Sequence, residues 1–229
     1  MNVINIVTLA SSAKTRMYDG VPSERWKEFG IPVTYVDDVN AEAEALAALR
    51  PDLIVMCGWR QVLDASLLAL PKQGVVGFHP TPLPIGRGPA PIINTLLSGV
   101  TESGVTLFHV DGGLDTGDLI GQVPFSIGPN DHASDVYARV IEAGKVLVRT
   151  YFPLIASGHA PRTKQNETRA TYFQKVSRQD NALDPQNDTL ESMHRKIRAF
   201  SHPYEGAFIV GQGKRLVLWR ADLRHDGAP

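Results

Sequence analysis

The sequence predicts an α/β protein: a mostly parallel, doubly wound sheet with helices on both faces, followed by a small C-terminal helix and hairpin. Three observations predict it. From Val3 to about Ile155, short apolar runs alternate with helix-length segments, the pattern of strands joined through crossover helices. The run Leu53-Ile-Val-Met-Cys57 is apolar throughout, as strands covered on both faces tend to be. After about Ser157 the chain turns polar, then continues with one amphipathic segment and a Gly-punctuated pair of apolar runs, a helix followed by a hairpin. The expected domains are residues 1–178, carrying the sheet, and 179–229, carrying the helix and hairpin.

Taken in order, Val3–Leu9 reads as the first strand and Pro22–Phe29 as a short helical stretch. Pro32–Val36 is a second strand, and Asn40–Leu49 an Ala/Glu-rich helix with Asn40 suited to its N-cap. Asp52–Cys57 is a third strand and Asp64–Leu70 a short helix. Val75–Phe78 is the fourth strand, Pro91–Leu97 a helix, Val105–Val110 the fifth strand, and Ile120–Ser126 extends the sheet. His132–Ile155 is a long helix, capped by Asn130 or Asp131, with an apolar face at Val136, Val140, Ala143 and Leu147. Arg162–Asp188 is polar, with a short strand at Thr171–Phe173. Thr189–Phe200 is an amphipathic helix with Leu190, Met193 and Ile197 on one face, and Ile209–Trp219 is a hairpin around Gly211 and Gly213.

The chain has 229 residues, 43% hydrophobic and 21% charged, ordinary for a globular protein with one good-sized core or a core domain plus an appendage. Its net charge of −1 gives no broad electrostatic footprint for nucleic acid, though a local basic face stays open. The single cysteine, Cys57, forms no intrachain disulfide and reads as a buried structural thiol. The start lacks a basic segment before a long apolar one, and no run is long enough to span a membrane. A cytoplasmic setting and no metal are expected.

Two blocks carry the chemistry. Gly77-Phe-His79-Pro-Thr-Pro-Leu-Pro84-Ile-Gly86-Arg87-Gly88 ends an apolar strand in a histidine and a rigid Pro/Gly loop. Gly104-Val-Thr-Leu-Phe-His109-Val-Asp111-Gly-Gly-Leu-Asp115-Thr-Gly117 is a second strand running into a Gly-rich loop. In doubly wound sheets ligands sit outside the carboxyl ends of strands, and His79 and Asp115 lie just past such ends. A histidine can donate to an oxyanion and shuttle a proton, and a carboxylate beside it orients it and favours its charged form. The alternative is a helix-capping Asp and a loop His satisfied by backbone.

Together the two blocks resemble the N10-formyltetrahydrofolate-dependent formyltransferase family, which transfers a formyl group to an amine. The resemblance covers roughly residues 50 to 160 and, more loosely, the remainder. It implies the Rossmann-like formyltransferase fold. The family's Asn-x-His falls on Gly77-Phe78-His79, its Leu-Pro-x-x-x-Gly on Leu83-Pro84 through Gly88, and its Asp-x-Gly on Asp115-Thr116-Gly117. The resemblance therefore implies His79 and Asp115 as the catalytic pair. The folate would lie along the groove between Gly58, Trp59, Arg60, Gln61, Val62 and Leu63 on one side and Asp111, Gly112, Gly113 and Leu114 on the other. Arg87 and Gly88 would lie near the acceptor, with a loop Arg holding a carbonyl as the alternative. Trp59 reads equally as core packing. The Leu83-Pro84 bond is a candidate cis peptide.

One position departs from the family. Gly77 stands where the family has the Asn that helps polarise the formyl oxygen, and losing one such donor costs about 10²–10³ in rate. His109, on the strand delivering Asp115, is the first replacement considered, with Arg60 or Gln61 as the second, and position 77 is expected to accept an Asn. For the acceptor, the first-strand loop Leu9-Ala-Ser-Ser-Ala-Lys14 lacks the glycines of a ribose-phosphate site. Of the fuller tRNA-binding appendage the tail has only a helix and one hairpin. The sugar N-formyltransferases match best, so the expected partner is a small-molecule amine, a nucleotide sugar, rather than nucleic acid or a membrane, with a homodimer left open. The alternatives are an amino-acid or tRNA-linked amine formyltransferase, a formyltetrahydrofolate hydrolase, or a non-catalytic folate-binding paralogue.

Overall fold

The structure, a computed structural model, describes residues 1–10, 23–177 and 179–224. Ser11–Lys14 of the first-strand loop, Pro22 of the first helical stretch and the expected domain boundary at residue 178 lie outside the described residues. The chain folds as two compact units, each drawn from three stretches. The first comprises Met1–Phe78, Leu107–Gly121 and Leu147–Gln165, and the second His79–Thr106, Gln122–Val146 and Asn166–Pro229.

In the first unit, β1 (Ile6–Leu9) and β2 (Val33–Val36) pair in parallel, from Ile6 beside Val33 to Leu9 beside Val36. The Ala/Glu-rich segment divides into a 3₁₀ turn at Val39–Glu42 and α1 (Ala43–Ala48). Asp38, not Asn40, caps it by accepting from the Asn40 N–H. The Asn40 side chain instead donates to the Val62 carbonyl and accepts from the Asp64 N–H, each at 2.9 Å. Strand β3 (Ile54–Cys57) pairs in parallel with β4 (Val75–His79), Cys57 lying beside Phe78, and α2 (Ala65–Leu68) connects them. Val36, Val39, Leu46, Leu63, Leu67 and Val75 form the core. Only one face of β3 joins it. Val55 and Cys57 alternate outward, so Cys57 is exposed rather than the buried thiol expected, although desolvation still raises its pKa.

The central sheet runs β3-β4-β5-β6, with β5 at Glu102–His109 and β6 at Leu119–Ser126. It is mixed rather than mostly parallel. The Val110 N–H donates to the Val75 carbonyl, and Gly77, two residues further along β4, faces Phe108 and Val110. Neighbours on β5 thus fall in number as β4 rises, so β5 is antiparallel to β4. With helices on both faces, the class is α/β as expected. The carboxyl-end rule for ligands concerns parallel strands such as β3 and β4, and β5 runs the other way.

In the second unit, α3 (Pro91–Ser98), α4 (Ala133–Ala156) and α5 (Leu190–Phe200) bring together Ile92, Ile93, Leu96, Val136 and Phe200. The apolar stripe expected along α4 is buried at Val136, Ala143 and Leu147. Thr189 caps α5, its hydroxyl accepting from the Ser192 N–H at 3.1 Å. Leu190, expected on the buried face, is 63% exposed, because the packing of α5 on Leu183 and Ala207 begins one turn later, at Met193 and Ile197. The strand expected at Thr171–Phe173 reduces to a single parallel bridge, Tyr172 with Arg87. The expected hairpin is β7 (Ala207–Gly211) and β8 (Lys214–Leu218), closed by Gln212 and Gly213 at positive φ, the turn geometry that matches strand twist. The Leu83-Pro84 bond is cis, and so is His202-Pro203. Among the described residues no helix is long and apolar enough to cross a membrane.

Candidate active site

His79 ends β4 and is buried. Its Nε2 lies 2.8 Å from the Gly86 carbonyl oxygen. A carbonyl only accepts, so Nε2 carries the proton, and the neutral ring is the Nε2–H tautomer. Thr81 Oγ1 donates to the same oxygen at 3.3 Å. Gly86 sits at φ +74, where a Cβ would lie 2.7 Å from the Phe173 ring, so only glycine holds the carbonyl there. The Pro-rich loop is anchored below. The Leu83 N–H donates to Thr106 Oγ1 at 3.1 Å, Thr106 Oγ1 donates to the Thr81 carbonyl at 2.6 Å, and Gln122 Nε2 donates to the Leu83 carbonyl at 2.7 Å.

Arg87 is fully buried. Its guanidinium donates to both Glu167 carboxylate oxygens, at 2.8 and 2.7 Å, and to the Tyr172 hydroxyl at 2.8 Å. The Glu167 carboxylate raises the pKa of Arg87, and the Arg87 guanidinium lowers that of Glu167. The forked donor expected to meet an acceptor is thus turned inward, and Gly88 beside it is buried as well. The alternative weighed for Arg87 was a loop Arg holding a carbonyl; the side chain is instead buried, with a carboxylate and a phenol among its partners.

Asp115 belongs to the first unit and His79 to the second, and each has its own setting. Asp115 sits at φ +55 in the loop between β5 and β6. Gln165 Nε2 donates to the carbonyls of Asp115 and Gly117, both at 2.8 Å. Asp111 shapes the same loop, its Oδ1 accepting from the Gly113 N–H at 3.0 Å and from Thr116 Oγ1 at 2.7 Å. Residues 111–114 are exposed. Gly58 and Val62 are exposed too, whereas Leu63 is buried in the core, and Trp59 packs against that core with Val110. Gln61 is committed elsewhere: its side chain accepts from the Val39 N–H at 2.9 Å and donates to the Asp37 carbonyl at 2.6 Å. Arg60, the other residue of the second replacement pair, is half-buried. Among the described residues no cluster of His, Cys, Asp and Glu could hold a metal ion.

Position 77 differs from expectation. A Cβ there would meet Val110 Cγ2 at 3.0 Å and the Phe108 ring at 3.1 Å. Phe108 and Val110 thus occupy the face on which a side chain at 77 would stand. His109, between them, alternates to the opposite face. Its side chain is therefore not on the face that Gly77 presents. Its ring is buried, and among the described residues neither nitrogen meets a partner at hydrogen-bond geometry. Desolvation first, then the Arg162 charge, lowers its pKa, offset only in part by Asp118 and the nearby Pro161 carbonyl.

Sequence reasoning missed Thr106, Gln165, Glu167, Thr171 and Tyr172. They act through contacts 16 to 85 residues away along the chain, and local patterning carries no signal for such pairs.

The chain matches the family model described as formyl transferase over residues 21–151 and that described as formyl transferase, C-terminal domain, over 175–228. It is 32% identical over 228 residues to a methionyl-tRNA formyltransferase of Geobacter metallireducens, covering 97% of this chain and 72% of that one. Among solved structures it is similar to a methionyl-tRNA formyltransferase from Clostridium thermocellum, with a TM-score of 0.70 and 22% identity over 99% of this chain and 96% of that one. An N-formyltransferase from Helicobacter canadensis, solved with folinic acid and dTDP-3-aminofucose, aligns with a TM-score of 0.52 and 31% identity over 61% of this chain and 52% of that one. The chain belongs to the formyltransferase family, enzymes that take a formyl group from formyltetrahydrofolate.

Proposed function

We propose that the protein transfers the formyl group of N10-formyltetrahydrofolate to the primary amine of a nucleotide-linked amino sugar. The observation that carries the catalytic part is His79, buried at the carboxyl end of β4 with one ring nitrogen tied to a backbone carbonyl. In this reading Nδ1 handles the proton. The amine must lose one as it attacks the formyl carbon, and the folate nitrogen must gain one as it leaves. The resemblance gives Asp115 the role of the second catalytic residue. The exposed backbone of 111–114, with Gly58 and Val62, reads the folate ring. The sugar acceptor is supported by the near-neutral charge of the chain and by the likeness to a protein solved with an amino-sugar nucleotide.

A second acceptor, a tRNA-linked amine, is favoured by two observations. One is the name of the Geobacter relative. The other is the exposed cations Lys214, Arg215 and Arg220 on and after the hairpin. The test supplies purified protein with N10-formyltetrahydrofolate and either a panel of amino-sugar nucleotides or charged initiator tRNA. Formylated product is followed by mass spectrometry and tetrahydrofolate release by absorbance. Formylation of a sugar amine supports the first reading and of the tRNA-linked amine the second. Formate release without any amine would identify a hydrolase.

A further inference from the structure

We propose that Thr171, Arg87 and Glu167 are positioning residues for His79, acting through the carbonyl of Gly86. The catalytic meaning of this inference rests on the function proposed above, but its structural part does not.

Four hydrogen bonds lock the loop that carries Gly86 to the segment around Thr171. The Gly86 N–H donates to Thr171 Oγ1 at 2.8 Å, and the Arg87 N–H to the Thr171 carbonyl at 2.9 Å. The Phe173 N–H donates to the Arg87 carbonyl at 2.7 Å, and the Thr171 N–H to the Pro84 carbonyl at 3.1 Å. The Phe173 ring closes the space beside Gly86. Each peptide plane is rigid, so fixing the N–H of Gly86 and the N–H and carbonyl of Arg87 aims the Gly86 carbonyl. That oxygen receives His79 Nε2–H. The buried guanidinium of Arg87, gripped at both ends by Glu167, fastens the segment a second time through side chains.

The consequence is chemical. Holding the proton on Nε2 presents Nδ1 as the nitrogen with the lone pair. If the Gly86 carbonyl swings away, the ring can rotate or exchange tautomers, and the lone pair no longer points in one direction. The segment 167–173, remote in sequence from both recognised motifs, therefore sets which nitrogen of His79 moves protons.

The test uses the full-length protein labelled with ¹⁵N. Long-range proton–nitrogen correlation of the His79 ring reports its tautomer directly. Wild type is expected to show Nε2–H alone in the neutral form. Thr171→Val keeps the shape but removes the hydroxyl acceptor, and is expected to give a tautomer mixture. It should also lower kcat by about tenfold or more, since small misplacement of a catalytic group costs up to about 10²-fold, with KM for N10-formyltetrahydrofolate little changed. Glu167→Ala should act in the same direction, and Thr171→Ser and Glu167→Gln, which keep an acceptor oxygen, should recover most of the wild-type behaviour. If Thr171→Val does not fold, Glu167→Ala gives the same reading. A single Nε2–H tautomer and unchanged kcat in both Thr171→Val and Glu167→Ala, with only a lower melting temperature, would overturn the proposal. If wild type transfers formyl to no amine, the functional reading fails while the tautomer comparison still decides the positioning claim.

Discussion

Replacing Gly77 by Asn restores the residue type of the family motif, and the structure predicts that it destabilises the protein rather than improving it. The new Cβ would stand 3.0 Å from Val110 Cγ2 and 3.1 and 3.3 Å from two atoms of the Phe108 ring. Overpacking of that kind costs about 1–3 kcal/mol. The amide beyond it would enter an apolar setting, and an unpartnered buried polar group costs about 1–3 kcal/mol more. The sum, about 2–6 kcal/mol, is a large part of a typical stability of about 5–15 kcal/mol. Val110→Ala removes the nearest clashing atom. Alone it should cost at most about 1.5 kcal/mol, the value for two fully buried methyl groups, since Val110 is half-buried. In the double variant the two changes should couple favourably by about 1–2 kcal/mol, within the range measured for touching residues. Urea unfolding of wild type, both single variants and the double variant measures this through midpoint shifts at constant slope. Gly77→Asn within about 0.5 kcal/mol of wild type, or a cycle additive to that margin, would refute the reasoning. Formyl transfer by the double variant above that of wild type would further show that the packing of Val110, not the backbone, excludes the family donor.

Three further outcomes are expected. His79→Ala should abolish formyl transfer while unfolding cooperatively near the wild-type midpoint; residual turnover above about a hundredth of wild type, the lower end of what general acid–base catalysis contributes, would remove His79 from the mechanism. His109 has a pKa held below its ordinary value, by burial first and by Arg162 second, so the unfolded chain takes up its proton first. Stability should be full above about pH 6.5, the unfolded value, and fall as pH drops below it, and His109→Gln should flatten that slope in urea titrations from pH 8 to 5. Asp188, its carboxylate 2.7 Å from Lys196 Nζ, has a lowered pKa chiefly through that bond; its contribution should be present above about pH 4, the unfolded range, and lost as pH falls further, a loss absent from Asp188→Asn.

Most strands and helices were legible because each is a local pattern. Alternation and apolar runs located β3, β4 and β6, the 3.6-residue stripe located α4, and two glycines marked the hairpin turn. The direction of β5 was not legible, since seven of its eight residues are buried and a strand covered on both faces reads alike in parallel and antiparallel neighbours. The connection did hold a clue. Only a loop separates His109 from Leu119, and parallel neighbours need a longer crossover. At the site, His79 and Asp115 were marked by Pro and Gly frames that lie beside them in sequence. Arg87 was assigned outward because its partner, Glu167, is 80 residues away. His109 looked available by strand parity until the contacts of Gly77 established which face Phe108 and Val110 share.

The interleaving of the two units bears on how the chain is made. The first unit opens at the N-terminus yet draws on Leu107–Gly121 and on Leu147–Gln165. Strands β1 to β4 leave the ribosome well before the stretches that complete their unit. At about 5–20 residues per second, the span from His79 to Gln165 takes roughly 4–17 s to synthesise. The core around Val36, Leu67 and Val75 is made almost wholly by residues up to Val75 and waits only for Val110. Each unit is discontinuous in sequence, so neither can be cut out as a contiguous expression fragment.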